Sequence, residues 1–340
     1  MFIILGFAFA LLLPPVEGHC SDEVRASPNH QFENRFGPAP ASEDMALNHA
    51  NQLFAKNAYS EALSNYRELA NANQPIAMRR MGAFYETGTS VKPDYAEAMR
   101  WYQKAAQAGD AVALTDIGRL YDNGRGVPQD YAVALSWYRK GAAAGDVKAI
   151  NNIGVMYALG QGVKLDYAEA MLWFQKGAKA GEPDSMNNIG ALYEKGQGVP
   201  VNYAEALRWY QQSAAGGLAM AMSSVGYLYE NGLGVTKDPS EAVAWYRKAA
   251  TLGDPSAMTG LGAIYQSGEG LPRSYSQAIC WFQRAAEAGD ANAMDSLALA
   301  YENGTGVARN HAEALRWYRK AAAAGNQKAK EYLAQLGVPL

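Results

Sequence analysis

The 340-residue chain has little of what most enzymes and nucleic-acid binders are built from. It carries two cysteines and four histidines. That excludes a disulfide framework and a thiolate zinc site, and leaves too few ligands for a histidine-rich metal centre. Positive charge is not in excess: 30 Lys and Arg stand against 33 Asp and Glu, a formal net charge of −3. The concentrated basic footprint of a nucleic-acid or anionic-membrane protein is therefore missing. Ser-x-x-Lys, Gly-x-Ser-x-Gly and His-Glu-x-x-His do not occur, so no nucleophile or zinc motif is on offer. The expectation is a chain that is not an enzyme, with no catalytic residue, no metal site and no cofactor.

What is present begins with Phe2–Leu13, an unbroken apolar run ahead of Pro14-Pro15. It falls short of the roughly twenty residues that span a bilayer, so no stable membrane insertion is expected. Its length suits a signal-peptide core, with small residues Val16 and Gly18 preceding a cut after Gly18. The segment before it has no Lys or Arg, which departs from the usual leader. Residues 1–18 are read as a signal peptide, and 19–42, rich in Pro, Asn, Ser and Gly, as a disordered linker. The expected address is periplasmic or secreted.

The body is written in one period. The seven Trp stand at 101, 137, 173, 209, 245, 281 and 317, each 36 residues from the next, which makes the repeat the first thing to explain. Each unit parses as two helices. The first carries an apolar stripe at i, i+4 and i+8, as in Ala113, Ile117 and Tyr121, and ends in Gly-x-Gly-Val. The first unit has Ser90 where the others have the second glycine. The second helix opens on Asp94, Asp130, Asp166, Asn202, Asp238, Ser274 or Asn310, all good N-caps. In six units Glu or Gln follows three residues later, completing a capping box. Two short helices cannot bury their stripes alone, whereas stacked copies can. Residues 43–74 read as an N-terminal capping pair, 75–325 as seven repeats, and 326–340 as a C-terminal capping helix.

The pattern Ala-x3-Leu-Gly-x2-Tyr-x2-Gly-x-Gly-Val-x2-Asp, followed by Ala-x2-Trp-Tyr-x-Lys-Ala-Ala-x2-Gly, resembles the Sel-one-like repeat (SLR) family, a relative of the tetratricopeptide repeat. Local departures are Ala298 for the usual Gly and Pro239 for the usual Tyr. The resemblance implies an all-α, right-handed superhelical α-solenoid of helix-turn-helix repeats that serves as an adaptor in protein complexes. Family members occur in bacterial envelopes, among secreted bacterial factors and in the endoplasmic reticulum. Some secreted members, with a disulfide in each repeat, are associated with β-lactam binding or hydrolysis. The repeated cysteines are absent here, so that activity does not carry over.

The leading expectation is an exported scaffold that binds a protein or peptide partner, and not nucleic acid, through its concave groove. The alternatives are a β-lactam- or peptidoglycan-related envelope enzyme or binder, and an endoplasmic-reticulum quality-control adaptor. The Asn303-Gly304-Thr305 acceptor pattern bears on the last of these, although Asn-Gly at 123 and 231 also reads as turn chemistry. In the tetratricopeptide arrangement first helices line the groove, which selects Arg79, Arg119, Asn151, Asn152, Asn187, Asn188, Tyr227 and Glu230. Asn151-Asn152 and Asn187-Asn188 occupy equivalent places in adjacent units, and side-chain amides offer a peptide backbone both donor and acceptor. The same amides could instead bond within the stack. Tyr227 lies outside the repeat register and is a fair hot-spot candidate. The Trp are expected in the core, the Lys at the ends of second helices at the helix dipoles, and Cys280 as a free thiol or an adventitious pair.

Overall fold

The computed structural model describes residues 45–338. The expected signal peptide and linker, 1–18 and 19–42, lie outside the described residues. Among the described residues there are seventeen α-helices and no strand. A leading pair, α1 (Met45–Ala55) and α2 (Tyr59–Asn71), precedes the repeats. The first helices of the seven units are α3 (Pro75–Thr87), α5 (Ala111–Asn123), α7 (Val147–Leu159), α9 (Pro183–Lys195), α11 (Ala219–Asn231), α13 (Pro255–Ser267) and α15 (Ala291–Asn303). The second helices are α4 (Tyr95–Gln107), α6 (Tyr131–Ala143), α8 (Tyr167–Lys179), α10 (Tyr203–Ala215), α12 (Pro239–Thr251), α14 (Tyr275–Glu287) and α16 (His311–Ala323). The short α17 (Gln327–Gln335) closes the series. The chain is an all-α array of 36-residue helix-turn-helix units, the construction of an α-solenoid.

Compact packing divides the chain at Ala257/Met258, inside α13. In the part up to Ala257, each helix packs chiefly on its neighbours in sequence. In the part from Met258, α14 packs on α15, α15 on α16, and α16 on α17.

The local reasons for the helices are plain. The predicted second-helix caps act as caps: Asp94 accepts from Glu97 N at 2.9 Å and Asn202 from Glu205 N at 3.1 Å. The first helix ends at a left-handed glycine such as Gly124, and Asp130 N then donates back to Tyr121 O at 3.0 Å, closing the loop. Ser90 holds the same left-handed conformation without being glycine (φ 57°). At the equivalent Gly126 a Cβ would stand 2.5 Å from Tyr95 Cβ of the preceding unit. Ser90 follows the capping pair instead, and its Oγ meets Ser60 Oγ at 3.4 Å.

The core repeats as well. Ala98, Met99 and Tyr102 from α4 pack with Ile117 and Leu120 from α5, and Trp137 of the next second helix lies against them. The same set recurs as Ala134, Leu135, Tyr138, Ile153 and Met156. Each core thus joins one unit to the next, which is why a lone unit cannot be stable.

The expectation of buried Trp changes here. Trp101, Trp137, Trp173, Trp209 and Trp245 are partly exposed, and only Trp281 and Trp317 are buried at 8%. The Lys expected at the dipoles do stand in the last turns of the second helices, and they also lie over these rings: Lys140 Nζ is 4.0 Å from the Trp137 centroid and Lys176 Nζ 4.0 Å from Trp173. The physical reason is spacing. A cation three residues after the Trp sits one turn along the same face, where the ring quadrupole attracts it. Cys280 is half-buried and disulfide-bonded, not a free thiol.

Candidate functional site

The first helices of the first four units line a groove of about 940 Å³. Arg79, Arg119, Asn151 and Asn152 face it together, whereas Asn187, Asn188, Tyr227 and Glu230 do not contribute to that cavity. The sequence-selected set therefore falls into two groups along the same series of helices.

Several of these residues are less open than a groove position suggests. Arg79 is 8% exposed, and its Nε donates to Asp110 Oδ2 at 2.9 Å. Asp110 also accepts from Ala113 N at 3.0 Å as the cap of α5. One carboxylate therefore starts a helix and ties it to the unit before. The tie recurs: Thr115 Oγ1 donates to Asp146, the cap of α7, and Thr259 Oγ1 to Asp290, the cap of α15, at 3.0 Å. At the third junction Asn151 Oδ1 accepts from Asn188 Nδ2 at 2.9 Å and from Ser185 Oγ at 3.3 Å. Two of the four predicted ladder amides are thus clasped to each other across units. Asn152, half-buried on the groove wall, is the amide of that set best placed to meet a ligand.

Glu86 organises the charges at the other end. It is 4% exposed and accepts from both terminal nitrogens of Arg119 (Nη2 at 2.7 Å), from Arg125 at 3.3 Å and from Tyr102 Oη at 2.8 Å. Burial pushes its carboxyl up, but the Arg119 bonds and charge, with Tyr102 and Arg125, bring it below the usual carboxylate range. Asp116, bonded to Arg119 Nη2 at 3.0 Å, goes the other way: burial dominates and raises it. The charges of Arg119 and Arg125 are therefore largely balanced internally. Glu182, the cap of α9, lies at 4% exposure on the groove wall. Burial and the hydrogen bond and charge of Asp184 push it up to about 7.

Tyr227 stands 46% exposed on α11, as a hot-spot candidate should. Glu230 instead accepts from Tyr246 Oη at 2.6 Å. This is a repeat feature: Tyr138 donates to Asp122 at 3.0 Å and Tyr210 to Glu194 at 2.5 Å. Where the second helix has Phe174 or Phe282, the acid position holds Ala158 or Gln266. In the last unit Ala298 fills the place where the other units have glycine. There Tyr318 stacks on Tyr332 at 4.4 Å, and Glu302 pairs with His311 Nδ1 at 2.7 Å.

With that geometry in hand, the relatives can be placed. The Sel1 repeat model matches residues 75–110, 111–146, 147–182, 183–218, 219–254, 255–290 and 291–326. The chain belongs to the Sel1 repeat family. It is similar to a protective antigen present in uropathogenic Escherichia coli strains that displays an SLR fold, at 37% identity and a TM-score of 0.58. That match covers 81% of this chain, which spans 59% of the antigen's length. It is also similar to a Sel1 repeat protein from Oxalobacter formigenes at 34% identity and a TM-score of 0.63, over 77% of this chain and 99% of that one. No curated protein matches the chain. The matched family is a repeat scaffold and names no catalytic chemistry. Among the described residues no helix is long and apolar enough to cross a membrane.

Sequence reasoning missed the inter-unit ties, because Asp110 and Asp146 read as caps only. Their second role needs a polar partner 31 residues earlier, and that pairing was visible at 79/110, 115/146 and 259/290. It also passed over Leu218, the single apolar residue among the first-helix cap positions.

Proposed function

We propose that this protein is an exported adaptor that holds a peptide segment of a partner protein along its first helices. The observation that carries the reading is the groove of about 940 Å³, walled by positions that change from unit to unit while the core set repeats. A scaffold whose periodic residues are spent on packing leaves specificity to the residues that vary. Asn152 and the exposed Lys148 line the groove together with Glu182, an amide and an ammonium for a ligand to meet. Export is supported by the apolar run Phe2–Leu13, whose length suits a signal-peptide core.

The test is affinity capture by the full chain from the envelope fraction of its own organism. It compares the parent with Lys148→Ala/Asn152→Ala in the groove and with Lys176→Ala over Trp173. Recovery of the partner falls about tenfold for the groove variant, the loss of roughly 1.4 kcal/mol of binding, and stays level for Lys176→Ala. Equal recovery by all three contradicts the reading.

A further inference from the structure

The first helix of every unit but the fifth, and α17 after them, begins at a residue whose side chain is positioned to cap it. Gln74, Asp110, Asp146, Glu182, Asp254, Asp290 and Asn326 each accept from a backbone N–H of the helix that follows. Leu218 breaks the series and provides no cap to α11. The break has a consequence one unit back. Asn187 occupies the place of Arg79 and Thr115, which reach the cap acid of the next unit, and at Leu218 there is no acid to reach. Asn187 is 8% exposed; its Oδ1 is buried without a hydrogen-bond partner, and its Nδ2 meets only the Met220 thioether at 3.9 Å. A buried amide oxygen left unpaired costs about 1–3 kcal/mol, so its retention calls for a donor from elsewhere.

What covers Asn187 is apolar and open. Met220 is 59% exposed and Tyr227, two turns further along α11, is 46% exposed. The patch of Leu218, Met220, Ser223 and Tyr227 carries no charge, and the nearby Glu230 is engaged by Tyr246. We propose that this patch, outside the groove of the first four units but on the same series of first helices, is an anchor subsite for an uncharged peptide segment. A large aliphatic or aromatic side chain of the peptide packs on Leu218, Met220 and Tyr227, and an adjacent peptide N–H donates to Asn187 Oδ1. The unbranched, polarisable Met220 swings aside to admit it. This deepens the adaptor reading and rests on it.

The probe is a pair of synthetic blocked octapeptides with Gly-Ser flanks, one with a central Leu-Phe and one with a central Glu-Lys. Each is titrated into the full chain labelled with carbon-13 at the methionine methyl groups, the Met220 resonance being assigned by Met220→Leu. The Met220 methyl shifts with the Leu-Phe peptide and not with the Glu-Lys peptide. Tyr227→Ala, a substitution at an exposed site, weakens that binding about tenfold. Leu218→Asp, which supplies the missing cap and an acceptor for Asn187 Nδ2 and sets a charge in the apolar patch, weakens it as much while raising Tm by about 2–4 °C. A Met220 methyl that does not move, or moves equally with both peptides, overturns the proposal. So does a concentration-dependent dimer of the chain that protects Met220, since the occupant is then a second copy. If groove variants lose the natural partner while Met220 stays still, the subsite fails and the adaptor reading stands.

Discussion

The junction between the first and second units and that between the fourth and fifth are built on the same helix pattern and differ in one polar pair, Arg79 and Asp110 against Asn187 and Leu218. At the first, Asp110 caps α5 and pairs with the buried Arg79. At the other, Leu218 does neither, and Asn187 keeps an unpaired oxygen under a half-exposed methionine. The apolar core beneath both is the same five-residue set, Ala98, Met99, Tyr102, Ile117 and Leu120 in one and Ala206, Leu207, Tyr210, Val225 and Leu228 in the other. The lesson is a division of labour. The same apolar set packs both junctions, whereas the polar tie above it is present at one and absent at the other.

The comparison can be broken most severely by making the first junction resemble the fourth. Asp110→Leu strips the cap and leaves the Arg79 guanidinium buried without its carboxylate. The expected cost is about 3–5 kcal/mol in denaturant unfolding, the scale for breaking a buried ion pair. A cost under 1 kcal/mol would mean that the tie is ornamental.

Next in size is a test that the shared packing is equal at the two places. A Cβ on Gly82 would stand 2.6 Å from the Tyr102 ring, and one on Gly190 2.7 Å from the Tyr210 ring. Gly82→Ala and Gly190→Ala should therefore each destabilise by about 1–3 kcal/mol, and by the same amount. A clear inequality in their melting would show that the units are not interchangeable below the groove.

The third junction provides a pH handle. Glu182 caps α9 with a carboxyl raised to about 7, above its value of about 4.3 in an unfolded chain. A folded-state pKa that is raised contributes stability fully below the unfolded value, and this is lost as pH rises through about 7. The parent should thus lose about 1–3 kcal/mol between pH 4.5 and pH 8 that Glu182→Gln does not lose. Parallel stability profiles for parent and variant would remove Glu182 as the source. Smallest is the reverse graft: Leu218→Asp should gain about 1 kcal/mol from the restored cap, read as a rise in midpoint with unchanged slope in urea.

Most of the fold was legible because it is periodic. The Trp spacing, the caps Asp94 to Asn310 and the glycine stops appear where the sequence puts them. The site was legible in part. Arg79, Arg119, Asn151 and Asn152 do gather in one groove. What the pattern could not show is which of them are already engaged, because the partners Asp110, Glu86 and Asn188 come from neighbouring units more than thirty residues away. A helical face also does not reveal depth. The Trp read as core, yet five of the seven lie half-open under a cation supplied by their own helix.

The central claim, that partners meet the first helices and not the second, is tested most directly by site-specific photocrosslinking in the native organism. A benzoylphenylalanine replaces Tyr227 on α11 in one strain and Leu172 on α8, itself 52% exposed, in another. The account predicts a crosslinked partner from position 227 and none from position 172. A partner captured from 172 alone would contradict it.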